Sequence, residues 1–168
     1  MNAIVYTSET GTTARYAEML SQATGLPVLD IKNARSAVGK GERIIYMGWL
    51  MAGQLQGYRE AQKLWDIAAI CAVGMAPPEE KTVLELKERY HIEKTPVFVL
   101  QGGLYIDKLH GIHKVMMKTM AATLGKSIEQ KKAPTDTEKE MLGFLRQGGD
   151  NVRPENLRDI ITWWERQR

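Results

Sequence analysis

The chain opens Ala3-Ile4-Val5-Tyr6-Thr7-Ser8-Glu9-Thr10-Gly11-Thr12-Thr13-Ala14-Arg15-Tyr16-Ala17, and no later stretch constrains its fold as much. Ala3 to Tyr6 is a short apolar run of the kind that forms a buried strand. It breaks directly into a hydroxyl-rich loop with one glycine, after which a helical pattern begins. Hydroxyls and backbone N–H groups at a helix N-terminus cradle anions, helped by the positive end of the helix dipole. Gly11 lets the backbone turn tightly there and come close to an anion. The loop holds no Lys or Arg, so a phosphate would be bound by neutral donors. That suits a resident phosphate monoester better than a γ-phosphate in transfer. The plain alternative is a polar strand-to-helix turn with an ordinary threonine cap.

Other phosphate loops do not fit these residues. A dinucleotide fingerprint needs three glycines after the strand, and this loop has one. A nucleoside-triphosphate loop needs Gly-x-x-x-x-Gly-Lys-Ser/Thr. Gly39-Lys40 continues into Gly41 and has Ala34 where the first glycine belongs, while Gly48 to Gly53 continues into Gln54-Leu55.

Along the chain, apolar runs alternate with helical patterns, which predicts a parallel sheet wrapped by helices. Strands are expected at 2–7, 27–31, 43–49, 67–74 and 96–101, and helices at 13–24, 31–37, 57–65, 79–90 and 108–125. Pro77-Pro78 ahead of Glu79-Glu80 suits the first turn of a helix. Five strands in this rhythm fit a doubly wound sheet of order 2-1-3-4-5. In such a sheet the ligand lies beyond the carboxyl ends of the strands, at the switch between strands 1 and 3.

From Lys126 to Asp136 the chain reads as a polar surface linker. Thr135-Asp136-Thr137-Glu138 then offers a capping box for a helix using Met141, Leu142, Phe144 and Leu145, ended by Gly148-Gly149. Pro154 opens a last helix with Leu157, Ile160, Ile161 and Trp164 at helical spacing. The expected organisation is an α/β domain over 1–125 that closes by itself. A linker and helices over 126–168 would then pack on that same domain as a C-terminal extension.

A chain of 168 residues is long enough for such a domain and its core. A net charge of +3, with no basic run beyond Lys131-Lys132, argues against nucleic acid as a partner. No apolar run has the length to span a bilayer, and the N-terminus enters a strand without the marks of a signal peptide. Cys71, the single cysteine, excludes an internal disulfide and fits a reducing cytoplasm. Within Ile67-Ala68-Ala69-Ile70-Cys71-Ala72-Val73 it reads as a core thiol.

Ser8-Glu9-Thr10-Gly11-Thr12-Thr13, directly after an N-terminal strand, resembles the Thr/Ser-x-Thr-Gly-x-Thr loop with which flavodoxins hold the phosphate of FMN. The resemblance implies a flavodoxin-like fold with FMN as cofactor. Its phosphate site would be Ser8, Glu9, Thr10, Gly11, Thr12 and Thr13, with Glu9 turned to solvent. The flavin ring would lie against the loops after strands 3, 4 and 5. These are Trp49-Leu50-Met51-Ala52-Gly53, Gly74-Met75 and Gly102-Gly103-Leu104-Tyr105. Glycine backbone approaches a flat ring closely, and an aromatic or Met side chain covers a face. In flavodoxins the strand-3 loop resembles Gly-Ser-Pro-x-Tyr-x-Gly; here Trp49 takes the serine-like position and no Tyr follows. Packing of Trp49 on a helix is the even alternative. Backbone N–H groups in these loops would stabilise negative charge on the reduced flavin. No catalytic acid or base is expected, because the redox chemistry is the flavin's.

Thr95 to Leu109, then Met116-Met117-Lys118 and Lys131 to Thr137, is similar to flavodoxin-domain proteins related to the menaquinone-dependent protoporphyrinogen dehydrogenase. That likeness implies a quinone- or porphyrinogen-linked oxidoreductase. The stretches between the strands read as too short for the long insertion which that dehydrogenase carries near its flavin. Soluble flavodoxins are usually acidic, so the net charge of +3 departs from the pattern of a freely diffusing carrier.

Two functions follow. The first is an FMN-binding redox protein working with a partner protein or a small-molecule electron donor or acceptor. The second is a flavin-free flavodoxin-fold binding or regulatory module acting through its C-terminal helices. His110 and His113 have the i, i+3 spacing of a ligand pair, but no third metal ligand accompanies them. Trp163-Trp164 beside Arg158, Arg166 and Arg168 reads either as a packed helix or as a membrane or partner contact.

Overall fold

The computed structural model describes residues 1–167, with Thr137 described by its backbone alone. Arg168, named above beside the tryptophan pair, lies outside the described residues. The chain forms two compact units, Met1–Gly102 with Val152 onward, and Gly103–Asn151.

The first unit runs β1 (Ala3–Tyr6), α1 (Thr12–Thr24), β2 (Val28–Asp30), α2 (Ile31–Ala37), β3 (Arg43–Met51), β4 (Gln54–Leu55), α3 (Tyr58–Leu64), β5 (Asp66–Gly74), α4 (Glu80–Tyr90) and β6 (Val97–Gln101). Strands β2-β1-β3-β5-β6 lie side by side and all parallel. This is the expected order once β4 is set aside, a two-residue strand returning antiparallel on β3. The expected helices are present in sequence order between the strands.

Period-two alternation sends successive strand residues to opposite faces. Val5, Ile44, Tyr46 and Ile70 pack with Ile31, Ala34, Tyr58, Ala61 and Leu86 on the face covered by α2, α3 and α4. Ile4, Ile45, Met47, Cys71 and Leu100 pack on the other face with Tyr16, Ala17 and Leu20 of α1. That second face is completed from the far end of the chain, by a 3₁₀ turn (Pro154–Leu157) leading into a last helix (Arg158–Glu165). Leu157 and Ile160 there are 1% and 0% exposed. The α/β layer therefore does not close within its first 125 residues. Periodicity marked this helix as amphipathic, but pattern alone cannot name the surface that an apolar face will cover.

The second unit holds a strand pair, Gly103–Leu104 antiparallel to Gly149–Asp150, and two helices. We label the strands β7 and β8 and the helices α5 (Gly111–Glu129) and α6 (Asp136–Gln147), so the helix Arg158–Glu165 is α7. Helix α5 runs four residues beyond the expected Gly125 and absorbs the start of the supposed linker. At Gly125 a Cβ would lie 2.8 Å from the Arg146 guanidinium, so the small residue admits α6. Thr135 and Glu138 form the expected capping box. On α5, Ile112 and Val115 are 70% and 61% exposed. Among the described residues no helix is long and apolar enough to cross a membrane.

Candidate functional site

The loop after β1 builds its curvature from its own polar atoms. Gly11, at φ +91°, is the N-cap of α1, a left-handed conformation that suits glycine. Its N–H donates to Ser8 Oγ at 3.1 Å, and the Thr10 and Thr12 hydroxyls stand 3.4 Å apart. A glycine N-cap brings no side chain to the first turn of the helix, so the ordinary threonine cap is not what this turn contains. The N–H groups of a first helical turn have no partners inside the helix and point along the positive end of its dipole. Thr12 and Thr13, which begin α1, are 6% and 1% exposed. Among the described residues the Thr13 hydroxyl is buried with no hydrogen-bond partner. Such a group is costly unless something satisfies it. Glu9 is exposed.

The ends of β3, β5 and β6 meet this loop along the carboxyl edge of the sheet. The Gly102 N–H donates to the Gly74 carbonyl at 2.7 Å, joining the ends of β6 and β5. A Cβ at Gly102 would come within 2.8 Å of Thr12 Cγ2, so only glycine lets β6 approach the cradle this closely. A Cβ at Gly74 would sit 3.3 Å from Leu50 Cδ1. Thr12, Gly102, Gly74 and Leu50 thus form a continuous row. The Gln101 side-chain amide reaches the Met75 carbonyl at 3.5 Å.

The residues after β3 differ from the expected loop. Strand β3 continues through Met51, two residues past the expected end, then turns at Ala52 and Gly53 and returns as β4. Both turn residues are left-handed, with φ of 49° and 71°, which is the two-residue turn that matches strand twist. Ala-Gly is a rare spelling of that turn, so the residue pattern does not announce it. Trp49, Leu50 and Met51 are half-buried strand residues, with Trp49 opposite Val73 of β5. Gly103, Leu104 and Tyr105 belong to the second unit. There Leu104 and Tyr105 line an open cavity of about 470 Å³ with Asp107, Lys108 and Arg146. The Lys108 ammonium lies 4.8 Å from the centre of the Tyr105 ring.

Sequence reasoning missed a set of residues beneath the cradle. Tyr46 of β3 is 0% exposed. Its hydroxyl donates to the Gln56 carbonyl at 2.6 Å and lies 2.8 Å from Thr7 Oγ1, immediately before the cradle. A tyrosine in a core strand position needs a polar partner, and that was the available signal. Burial pushes the Tyr46 pKa up, with Thr7 acting in the opposite sense. Cys71 is buried and its thiol pKa is likewise raised by burial, which makes it a poor nucleophile. Among the described residues no group of His, Cys, Asp and Glu is arranged to hold a metal ion.

The family model for the flavodoxin domain matches residues 3–131, which take in all five parallel strands and the hydroxyl-rich loop. No curated protein matches the chain. The matched span covers well over half of the sequence and carries the sheet order and cradle just described, so the chain belongs to the flavodoxin-domain family.

Proposed function

We propose that the protein binds FMN by its phosphate in the cradle Ser8 to Thr13 and works as a flavin-dependent redox protein. The observation that carries this reading is the Thr13 hydroxyl, buried and without a partner at the N-terminus of α1. A phosphate oxygen is the acceptor that such a donor lacks. The hydroxyls of Ser8, Thr10 and Thr12 and the first-turn N–H groups supply further neutral donors, and the helix dipole favours the dianion.

FMN, when bound, supplies reversible acceptance and release of electrons. The chain's part is to fix the phosphate and to present the ends of β3, β5 and β6 to the ring. Trp49, Leu50, Met51, Ala52 and Gly53, with Gly74, Met75 and Gly102, form that second wall. Gly103, Leu104 and Tyr105 follow in the next unit. No side chain here is assigned as an acid or base. The partner is a redox protein or a small-molecule donor or acceptor of quinone or porphyrinogen type, in a cytoplasmic setting. The unit inserted between β6 and α7 favours an enzyme over a simple carrier, since a carrier needs only the α/β layer.

The test is the visible spectrum of gently purified protein, followed by titration of the colourless fraction with FMN and riboflavin. Flavin bands, or FMN bound far more tightly than riboflavin, are expected. Equal affinity for both flavins would remove the phosphate site. The exposed Ile112 and Val115 on α5 favour a second reading, a module that recruits a partner through its helices without flavin.

A further inference from the structure

Five residues outside the anion loop, Thr7, Tyr46, Met47, Trp49 and Gln56, form a hydrogen-bonded circuit beneath it. A phenol has one hydrogen, and the Tyr46 hydroxyl spends it on the Gln56 carbonyl, which can only accept. The hydrogen between Tyr46 and Thr7 must therefore come from Thr7 Oγ1, at 2.8 Å. Thr7 has no second hydrogen to offer an anion. It is a neighbour of the cradle and not one of its donors.

Gln56 continues the circuit. Its N–H donates to the Trp49 carbonyl at 3.0 Å, which closes the base of the β3–β4 hairpin. The Thr7 N–H in turn donates to the Met47 carbonyl at 2.9 Å. The first residue before the cradle is thus tied to the hairpin bearing Trp49 to Gly53 through one buried hydroxyl and one backbone bond. Gly57, at φ +78°, lets the chain pass over that hydroxyl. A Cβ there would stand 2.3 Å from both Thr7 Oγ1 and Tyr46 Oη.

We infer that Tyr46 is a positioning residue that locks the phosphate loop to the β3–β4 hairpin, so that both ends of one FMN molecule meet a single rigid frame. This rests on the FMN reading above. A ligand spanning two walls gains from their fixed spacing, whereas a ligand touching one wall does not.

The experiment compares Tyr46→Phe, Thr7→Val and the double variant with the wild-type chain. FMN and riboflavin affinities are measured by fluorescence, and inorganic phosphate by ³¹P NMR titration. Thr7→Val, which removes one ordinary hydrogen bond, should weaken FMN about fivefold, and Tyr46→Phe, which also removes the bond to Gln56, by at least as much. Riboflavin and phosphate should each stay within about twofold of wild type, because each uses one wall only. The double variant should be no worse than Tyr46→Phe alone, since Tyr46→Phe already removes the Thr7–Tyr46 bond that Thr7→Val removes. Thr7→Val keeps the Tyr46–Gln56 bond and guards against a folding defect in Tyr46→Phe. Parallel weakening of all three ligands, additive losses, or unchanged FMN binding would overturn the inference while leaving the cofactor assignment intact. A wild-type chain that binds no FMN would overturn both.

Discussion

Asn156 Nδ2 donates to the Tyr16 hydroxyl at 2.6 Å, and that hydroxyl donates to the Gln101 carbonyl at 2.5 Å. The Arg153 N–H also donates to the Tyr16 hydroxyl oxygen, at 3.4 Å. One side chain, a turn into α1 from the cradle, therefore clasps the points where the chain leaves the α/β unit and rejoins it. Tyr16→Phe should lower the unfolding free energy by about 1–3 kcal/mol, the range for removing a partner from buried polar groups. Urea unfolding measures this, and an unchanged midpoint would mean the clasp contributes nothing.

Thr13→Val separates a ligand-binding hydroxyl from a packing one. Without flavin the hydroxyl is buried and unsatisfied, so its replacement by an isosteric methyl should be neutral or stabilising by up to about 1 kcal/mol. With FMN the same change should weaken binding about tenfold, because the lost bond is to a charged group, and riboflavin should be nearly indifferent. A variant less stable without ligand and normal toward FMN would assign Thr13 to the core instead.

Much of this was legible in the chain because it is local. Ile4 and Val5 alternate between two buried faces, and the hydroxyl loop sits where a strand becomes a helix. Thr135 and Glu138 spell their capping box within four residues. What escaped is long-range. Tyr46 and Thr7 lie 39 positions apart and meet only because β1 and β3 are neighbours in register. Leu157 and Ile160 announced an apolar helix face without naming the surface of Cys71 and Leu100 that it covers. The pair Gly103–Leu104 and Gly149–Asp150 is too short for any periodicity to show.

Cys71 makes a prediction about pH. Its thiol is fully buried, and burial raises its pKa above the ordinary 9.0. In the unfolded chain the thiol ionises near that ordinary value, so above pH 9 the unfolded state binds fewer protons than the folded one. Stability contributed by the neutral thiol is thus complete below pH 9 and is lost as pH rises, by at most about 1.4 kcal/mol per pH unit. Cys71→Ala should flatten this alkaline limb of a stability–pH curve. The native thiol should also resist alkylation until the protein unfolds; rapid modification of folded protein would contradict its burial.

Two deletions divide the flavin reading from the module reading, and the fold dictates which is informative. Truncation after Gly125 removes α7 and with it Leu157 and Ile160, both essentially buried. Losing two such side chains forfeits about 4–10 kcal/mol, comparable with the whole stability of a small domain. That truncated chain should not fold, and a loss of flavin binding in it would say nothing about the cradle. Replacing residues 104–150 by a short Gly/Ser linker is the better cut. The Gln101 carbonyl and the Asn156 amide lie 3.4 Å apart, so the α/β unit presents its two open ends close together. This variant should unfold cooperatively and keep its preference for FMN over riboflavin, since Ser8 to Thr13 and α7 are retained. If the preference survives while turnover or partner capture is lost, the inserted unit serves the substrate or the partner. If the variant folds but no longer distinguishes the two flavins, the phosphate site does not reside in the α/β unit alone.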